Sequence, residues 1–428
     1  MYLFFIRAFN DIDHITPIVW KMSRDKFPVG VFCLNPEYDI GNDYRLNHLR
    51  DIGVTVDYIY NYVHLRLGMR YRIVHFFMQK AYALRRRWDQ SGHQGFSGVS
   101  RKLSDYARRM GRSLYHFEKR HYYNKSWARY FLEQTEAQVL CFDWVGPKQL
   151  VVEVLLQAAK EMRIPTLAVP HGVLVYTNDV ITIESRPLES FDKLNRYDAV
   201  VVQNTLYWQS MVDSGIDEQK IAKLGSARYC REWMSQNKKI LPRVIQSNHS
   251  DSKKLKIVFM TTRTRYRVDE KRLFQTFKLL SEISGIEAWI KPHTRSFKDA
   301  RLFQNLSLRV VADISSVELC EWADVIIVIG SSIILEALLQ GKPTLYLKYL
   351  HENITLYEEH GACWIIRDEN ELQTALLSLQ NNLERVPYSA ENSKKFISEI
   401  IYGGHEDANV LEDYKQFIIS MGQDYERI

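Results

Sequence analysis

The chain alternates short apolar runs with longer stretches in which apolar residues recur every three to four positions. The runs are four to seven residues long and rich in Val, Ile, Leu and Phe, without strict in-and-out alternation. That pattern predicts strands buried on both faces, as in a parallel sheet. In the first half they fall at Tyr2 to Ile6, Val29 to Leu34, Val54 to Tyr60, Gln138 to Phe142, Thr166 to Val169, Ala199 to Val202 and Ala222 to Leu224. In the second half they fall at Lys256 to Met260, Glu287 to Ile290, Leu308 to Val311, Val325 to Ile329, Thr344 to Leu347 and Trp364 to Ile366. The stretches between them predict amphipathic helices, so the fold class is α/β, two doubly wound parallel-sheet domains. The expected limits are 1–240 and 255–405, linked through the polar stretch Gln236 to Lys254, with a final helix over 406–428 returning to the first domain. Ligands of such sheets bind outside the carboxyl ends of the strands, so two facing domains predict a cleft suited to a nucleotide-linked substrate.

Composition narrows the class without changing it. A chain of 428 residues exceeds one core, and 46% hydrophobic with 25% charged is ordinary for a globular protein. With 19 Gly and 11 Pro, fibrous and low-complexity chains are excluded. Mean hydropathy is -0.29, and no apolar run approaches the roughly 20 residues of a membrane span. The opening MYLFFIRAFN has no basic residue before its apolar stretch and reads as a first buried strand. Five scattered cysteines, Cys33, Cys141, Cys230, Cys320 and Cys363, show no CxxC spacing, which points to a reducing cytoplasm and to neither disulfides nor zinc.

Charge is uneven. Between Arg66 and Tyr130, sixteen Lys or Arg face only Asp89, Asp105 and Glu118, while the whole chain has a net charge of +6. The rest of the chain is therefore net acidic, and residues 66–130 form a basic insertion, aromatic-rich and broken at Ser91 to Ser100. Solvated amphipathic helices account for it, and so does an anionic partner. Docking on an anionic membrane surface is the partner expected here, placing the protein in the cytoplasm, peripheral at the inner face of the membrane. Nucleic acid is not expected, since no zinc-finger, helix-turn-helix or RNP pattern accompanies the charge.

The candidate chemistry sits at strand ends. Val325 to Leu347, VIIVIGSSIILEALLQGKPTLYL, reads as strand, tight turn at Gly330, Ser331 and Ser332 opening a helix, then Gly341 to Pro343 before the next strand. The helix opening offers free N–H groups to a phosphate, with Glu336 one turn on for ribose hydroxyls, and the serines serve equally as simple caps. Ile290 to Arg295, IKPHTR, places Lys291, His293 and Arg295 after another strand. Thr261 to Arg267, TTRTRYR, adds Arg263, Arg265 and Arg267, suited to a phosphate or a sugar carboxylate. Gly225 to Arg228, GSAR, follows a further strand. In the first domain Asp143 closes a strand beside Trp144, and His171 with Gly172 follow the next one in VPHGV. A carboxylate and an imidazole so placed suit acid–base or covalent work, and a helix cap and a buried imidazole are the bland accounts.

The Val325 to Leu347 run resembles the nucleotide sites of GT-B-fold glycosyltransferases and the related UDP-N-acetylglucosamine 2-epimerases. The IKPHTR motif is similar to the K-x-H-P and K-P-H-P-R motifs of bacterial enzymes that use CMP-sugars, the sialyltransferases and the Kdo transferases of capsule and O-antigen assembly. Thr294 stands here where their proline follows the histidine. The H-G of His171 and Gly172 resembles that of many surface-polysaccharide transferases. The resemblance implies a glycosyltransferase of lipopolysaccharide, O-antigen or capsule synthesis, moving Kdo or another acidic sugar from a CMP-activated donor to a lipid-linked or oligosaccharide acceptor. It implies donor binding by His293, Ser331 and Ser332, and position beside them adds Arg263, Arg265, Lys291, Arg295, Gly330 and Glu336 to the expected donor site. It implies acceptor binding by Trp144 and Gly172, and catalysis by Asp143, as base or nucleophile, with His171. No metal and no cofactor are expected, since no DxD follows a strand and His and Cys show no ligand spacing. A UDP-N-acetylglucosamine 2-epimerase is the alternative within the fold, although its G-T-R-P-E loop is replaced here by Arg7 to Asp11. A CDP-glycerol or other polyol-phosphate transferase and a non-catalytic glycan-binding scaffold are the others.

Overall fold

The computed structural model describes residues 1–62, 122–144, 150–172, 176–177, 191–245, 254–263, 266–293, 306–405 and 409–426, with scattered positions between 69 and 117 and residue 303. Most of the basic insertion, together with Arg265 and Arg295, lies outside the described residues. The chain forms two compact units, Met1–Gly172 with Ser190–Trp233 and Asn409–Ile428, and Val173–Glu189 with Met234–Ala408. The expected linker starts too early: Gln236 to Ile240 complete a helix, Arg231–Ile240, held by the buried Trp233 and Met234.

The first unit is a seven-stranded parallel sheet of β1 (Tyr2–Ile6), β2 (Val29–Cys33), β3 (Thr55–Tyr58), β4 (Val139–Asp143), β5 (Thr166–Val169), β6 (Ala199–Val202) and β7 (Ile221–Lys223), in the order β3-β2-β1-β4-β5-β6-β7. Every residue of β1, β2 and β4 is buried, as strands covered by helices on both faces require. Phe5 stacks on Phe142 at 4.4 Å across β1 and β4, with Phe32 and Phe131 filling the same layer. The strand order reverses between β1 and β4, so the chain leaves β1 on one side and β4 on the other. Helix α1 (Phe9–Arg24) starts at the carboxyl end of β1, and the final helix, Val410–Glu426, packs against it. Lys415 of that helix reaches Asp25 at 2.6 Å, and the Tyr414 hydroxyl donates to the Gly225 carbonyl at 3.0 Å.

The second unit repeats the plan with six parallel strands: β8 (Leu255–Met260), β9 (Ile286–Lys291), β10 (Arg309–Val310), β11 (Val325–Val328), β12 (Thr344–Leu347) and β13 (Trp364–Ile366), in the order β10-β9-β8-β11-β12-β13. Its reversal lies between β8 and β11, and its core is built on Ile257, Phe259, Ile327, Leu345 and Phe277. Among the described residues no helix is long and apolar enough to cross a membrane.

Candidate functional site

A polar cluster occupies the carboxyl edge of each sheet at the point where the strand order reverses, the position at which doubly wound sheets take their ligands.

In the first unit β1 ends at Ile6 and the next residue, Arg7, turns its guanidinium onto Asp143 at the end of β4. Asp11, in the first turn of α1, accepts the Arg7 N–H at 2.7 Å and the Ala8 N–H at 3.2 Å through one carboxylate oxygen, Oδ2. That oxygen takes up the two N–H groups just ahead of the helix and sets a negative charge at its start, where in many such folds a phosphate binds. From the loop after β5, His171 Nδ1 lies 2.7 Å from Asp143 Oδ2 and 3.0 Å from Asp11 Oδ1. Nδ1 makes a well-angled hydrogen bond to neither oxygen, so it is held by charge between the two.

Exposure separates their roles. Asp143 and Asp11 are 1% and 0% exposed, whereas the His171 side chain keeps 39%. The two carboxylates lie behind the ring, and with Nδ1 directed at them the imidazole is left Nε2 to offer a substrate. Burial opposes a charge on His171, but the contacts with Asp11 and Asp143 outweigh it and push its pKa up to about 9. Burial raises Asp143 above the ordinary carboxylate value, and the neighbouring Asp11 charge adds to this; His171 and Arg7 only partly offset it. Burial works the same way on Asp11, yet there His171 and Arg7 prevail and hold it low. At neutral pH the site is therefore an imidazolium backed by two carboxylates and a guanidinium, and of the two carboxylates Asp143 holds a proton the more readily.

A cation fits this spacing, since one ligand atom each from Asp11, Asp143 and His171 lies within 4.8 Å of the others. The Arg7 guanidinium already supplies positive charge to the same Asp143 oxygen. Next to the cluster a second buried network runs along α1. Arg45 binds Asp13 and Asp43, and Arg228 of the GSAR loop reaches Asp13 at 2.7 Å. His14 lies 3.5 Å from Gln203 and is kept neutral by burial and by Arg228.

Asp143 and His171 are thus brought together; the helix start expected at Pro147 lies outside the described residues. Trp144 is packed on Phe191 and Tyr207, with its indole N–H given to the Val201 carbonyl at 2.9 Å. Only ring surface remains for the acceptor expected there. Gly172 has open space where a Cβ would lie. Arg7 and Asp11 were not among the expected site residues, although their position directly after the first strand was the available signal.

In the second unit three neighbouring strand ends converge. Thr261 after β8 accepts the His293 N–H at 3.1 Å and donates to the Lys291 carbonyl at 3.2 Å, stitching the β8 and β9 loops together. Thr262 donates to the Gly330 carbonyl at 3.1 Å across the reversal point. Arg263, His293, Ser331 and Ser332 are half-buried around this edge. Ser332 caps the helix Ile333–Leu339 without a side-chain bond to it.

Two of the expected donor ligands have partners of their own. The Lys291 ammonium is buried and donates to the Ala312 and Ile314 carbonyls at 2.7 and 2.5 Å; burial lowers its pKa to about 8. It pins the following loop through those two carbonyls. Glu336 is buried and accepts from Gln340 at 2.8 Å through Oε1.

No protein-family model matches the chain, and no curated protein matches it. Solved structures do. A UDP-N-acetylglucosamine 2-epimerase described as putative, from Listeria monocytogenes, superposes with a TM-score of 0.57 at 11% identity, covering 99% of this chain and 97% of that one. The Methanocaldococcus jannaschii UDP-GlcNAc 2-epimerase in complex with UDP-GlcNAc and UDP gives 0.52 at 13%, covering 98% and 100%. A glycosyltransferase from Rickettsia africae gives 0.50 at 12%, covering 98% of each chain. The fold is GT-B. At these identities the likeness carries the fold and not the substrate.

Proposed function

We propose that the chain is a nucleotide-sugar-dependent glycosyltransferase of surface-polysaccharide assembly, its donor a CMP-activated acidic sugar such as Kdo. The observation that carries the reading is the buried Asp143, Asp11 and Arg7 behind a half-exposed, charged His171. In the transfer, the acceptor oxygen bonds to the anomeric carbon while the bond from that carbon to the phosphate oxygen breaks, its electron pair leaving with the nucleotide. The acceptor's proton passes to Nε2 of His171 in its neutral form, and the imidazolium so formed is held at Nδ1 by Asp143 and Asp11. Asp143 serves this base role from behind the ring, and because Arg7 and His171 both contact its Oδ2, a nucleophilic role is disfavoured. Thr261, Thr262, Arg263, His293, Gly330, Ser331 and Ser332 of the second unit take the donor.

Docking of the basic insertion on the inner face of an anionic membrane belongs to the same proposal, since a lipid-linked acceptor would reside there. Liposome sedimentation tests it, with binding expected to weaken as salt rises; absent or salt-insensitive binding overturns it.

Calorimetry with CMP, CDP, UDP and GDP, on the wild-type protein and on His293→Ala, tests the donor. Selective CMP binding that is lost in the variant supports the reading, followed by turnover of CMP-linked acidic sugars. A UDP preference with interconversion of UDP-N-acetylhexosamines replaces it with the epimerase, CDP preference with a polyol-phosphate transferase, and no nucleotide binding with the scaffold.

A further inference from the structure

We infer that Tyr176 positions the donor phosphate by orienting one backbone N–H, an assignment that rests on the nucleotide reading above. The Tyr176 hydroxyl donates to the Gly330 carbonyl at 3.2 Å, and Thr262 Oγ1 donates to the same oxygen at 3.1 Å. A carbonyl oxygen has two lone pairs, so both are used. The peptide that follows is trans, and in a trans peptide the C=O and the next N–H point to opposite sides. Fixing the Gly330 carbonyl therefore fixes the Ser331 N–H, aimed away from Tyr176. That N–H belongs to the turn assigned to the phosphate, and a preset amide donor meeting an anion makes a strong, charge-assisted hydrogen bond.

Tyr176 is itself held firmly enough for this work. It is 6% exposed and forms an antiparallel bridge with Thr355. Next to it, the Thr177 N–H donates to the Ile354 carbonyl at 3.1 Å and the Thr177 hydroxyl to Glu359 at 2.9 Å. Its ring packs between Tyr266, at 5.5 Å, and His351, at 6.1 Å. The glycine of the G-S-S turn is matched to it. Gly330 is not in the left-handed region, so no backbone conformation demands glycine. A Cβ there would lie 2.3 Å from the Tyr176 hydroxyl oxygen, so the demand comes from the approach of the tyrosine.

Tyr176→Phe keeps the ring and removes only the hydroxyl. With CMP and UDP as calorimetric probes, affinity for whichever the wild-type protein binds is expected to fall about 3- to 10-fold, the worth of one hydrogen bond. The donor KM rises by a similar factor while kcat changes less. Thr262→Val, acting on the same carbonyl, shifts affinity in the same direction. Unchanged affinity in both variants overturns the assignment, as does a fall in melting temperature and kcat with affinity intact, which marks a purely structural tyrosine. Wild-type protein that binds neither CMP nor UDP overturns the nucleotide reading itself, a result separable from failure of the Tyr176 assignment.

Discussion

Replacing Asp11 by asparagine removes one negative charge from beside His171 while leaving an oxygen to accept the Arg7 and Ala8 N–H groups. His171 stands at about 9 against an ordinary value of 6.5. A displacement of that size corresponds to about 3 kcal/mol of preference for the charged ring. Two carboxylates at similar distances, 2.7 and 3.0 Å, share the work. Losing one lowers the His171 pKa by about one unit. Since a raised histidine stabilises the fold fully below its unfolded value, that stability is present below pH 6.5 and lost as pH climbs towards 9. In Asp11→Asn the loss still begins near pH 6.5 but ends at lower pH, and solvent at the exposed edge of the ring limits the cost near pH 8 to about 1 kcal/mol. The Asp143 carboxyl falls in the same variant, because Asp11 is one of the charges holding it up. Histidine Cε1–H chemical shifts followed across pH report His171 directly, and melting temperatures over the same range report the linkage. A His171 midpoint that stays put, or rises, refutes the view that two carboxylates share one imidazolium.

Three other outcomes follow from the same contacts. Asp143→Asn is expected to cut turnover by about 10²- to 10⁴-fold, the usual worth of a proton-transfer group, without loss of nucleotide affinity; calorimetry beside steady-state kinetics separates the two, and parallel loss counts against a catalytic role. Gly330→Ala forces the Tyr176 hydroxyl to move and costs about 1–3 kcal/mol, read as a lowered denaturation midpoint, with weakened nucleotide binding; a midpoint equal to wild type refutes the packing argument. Lys291→Met leaves the Ala312 and Ile314 carbonyls without their donor and destabilises by about 2 kcal/mol, while nucleotide selectivity is kept; an altered CMP-to-UDP preference would restore Lys291 to the donor site.

The strands were legible because burial on both faces leaves an unbroken apolar run; Thr166–Val169, Ala199–Val202, Thr344–Leu347 and Trp364–Ile366 begin and end where the pattern does. Asp143 and His171 were legible for the complementary reason, as polar groups closing such runs. The pattern does not say where a long side chain goes next. Lys291 closes a strand as Asp143 does, yet it folds back onto carbonyls some twenty residues further on, a partnership that only the tertiary fold creates. Arg7 and Asp11 failed the opposite way, looking like an ordinary strand exit and helix cap until β4 and β5 bring Asp143 and His171 beside them.

The two reversal points differ in charge, which is what leads the proposed function to assign a donor anion to the second unit. After β1 the turn is filled by the Asp11 carboxylate, which takes up the backbone N–H groups and would repel a phosphate. After β8 the corresponding turn holds Thr261 and Thr262, neutral hydroxyls that donate to carbonyls. By fixing the Gly330 carbonyl, Thr262 fixes the Ser331 N–H on the opposite side of that peptide. On the proposed function, one fold used twice separates proton chemistry from phosphate binding through the charge of a few residues that follow each first strand.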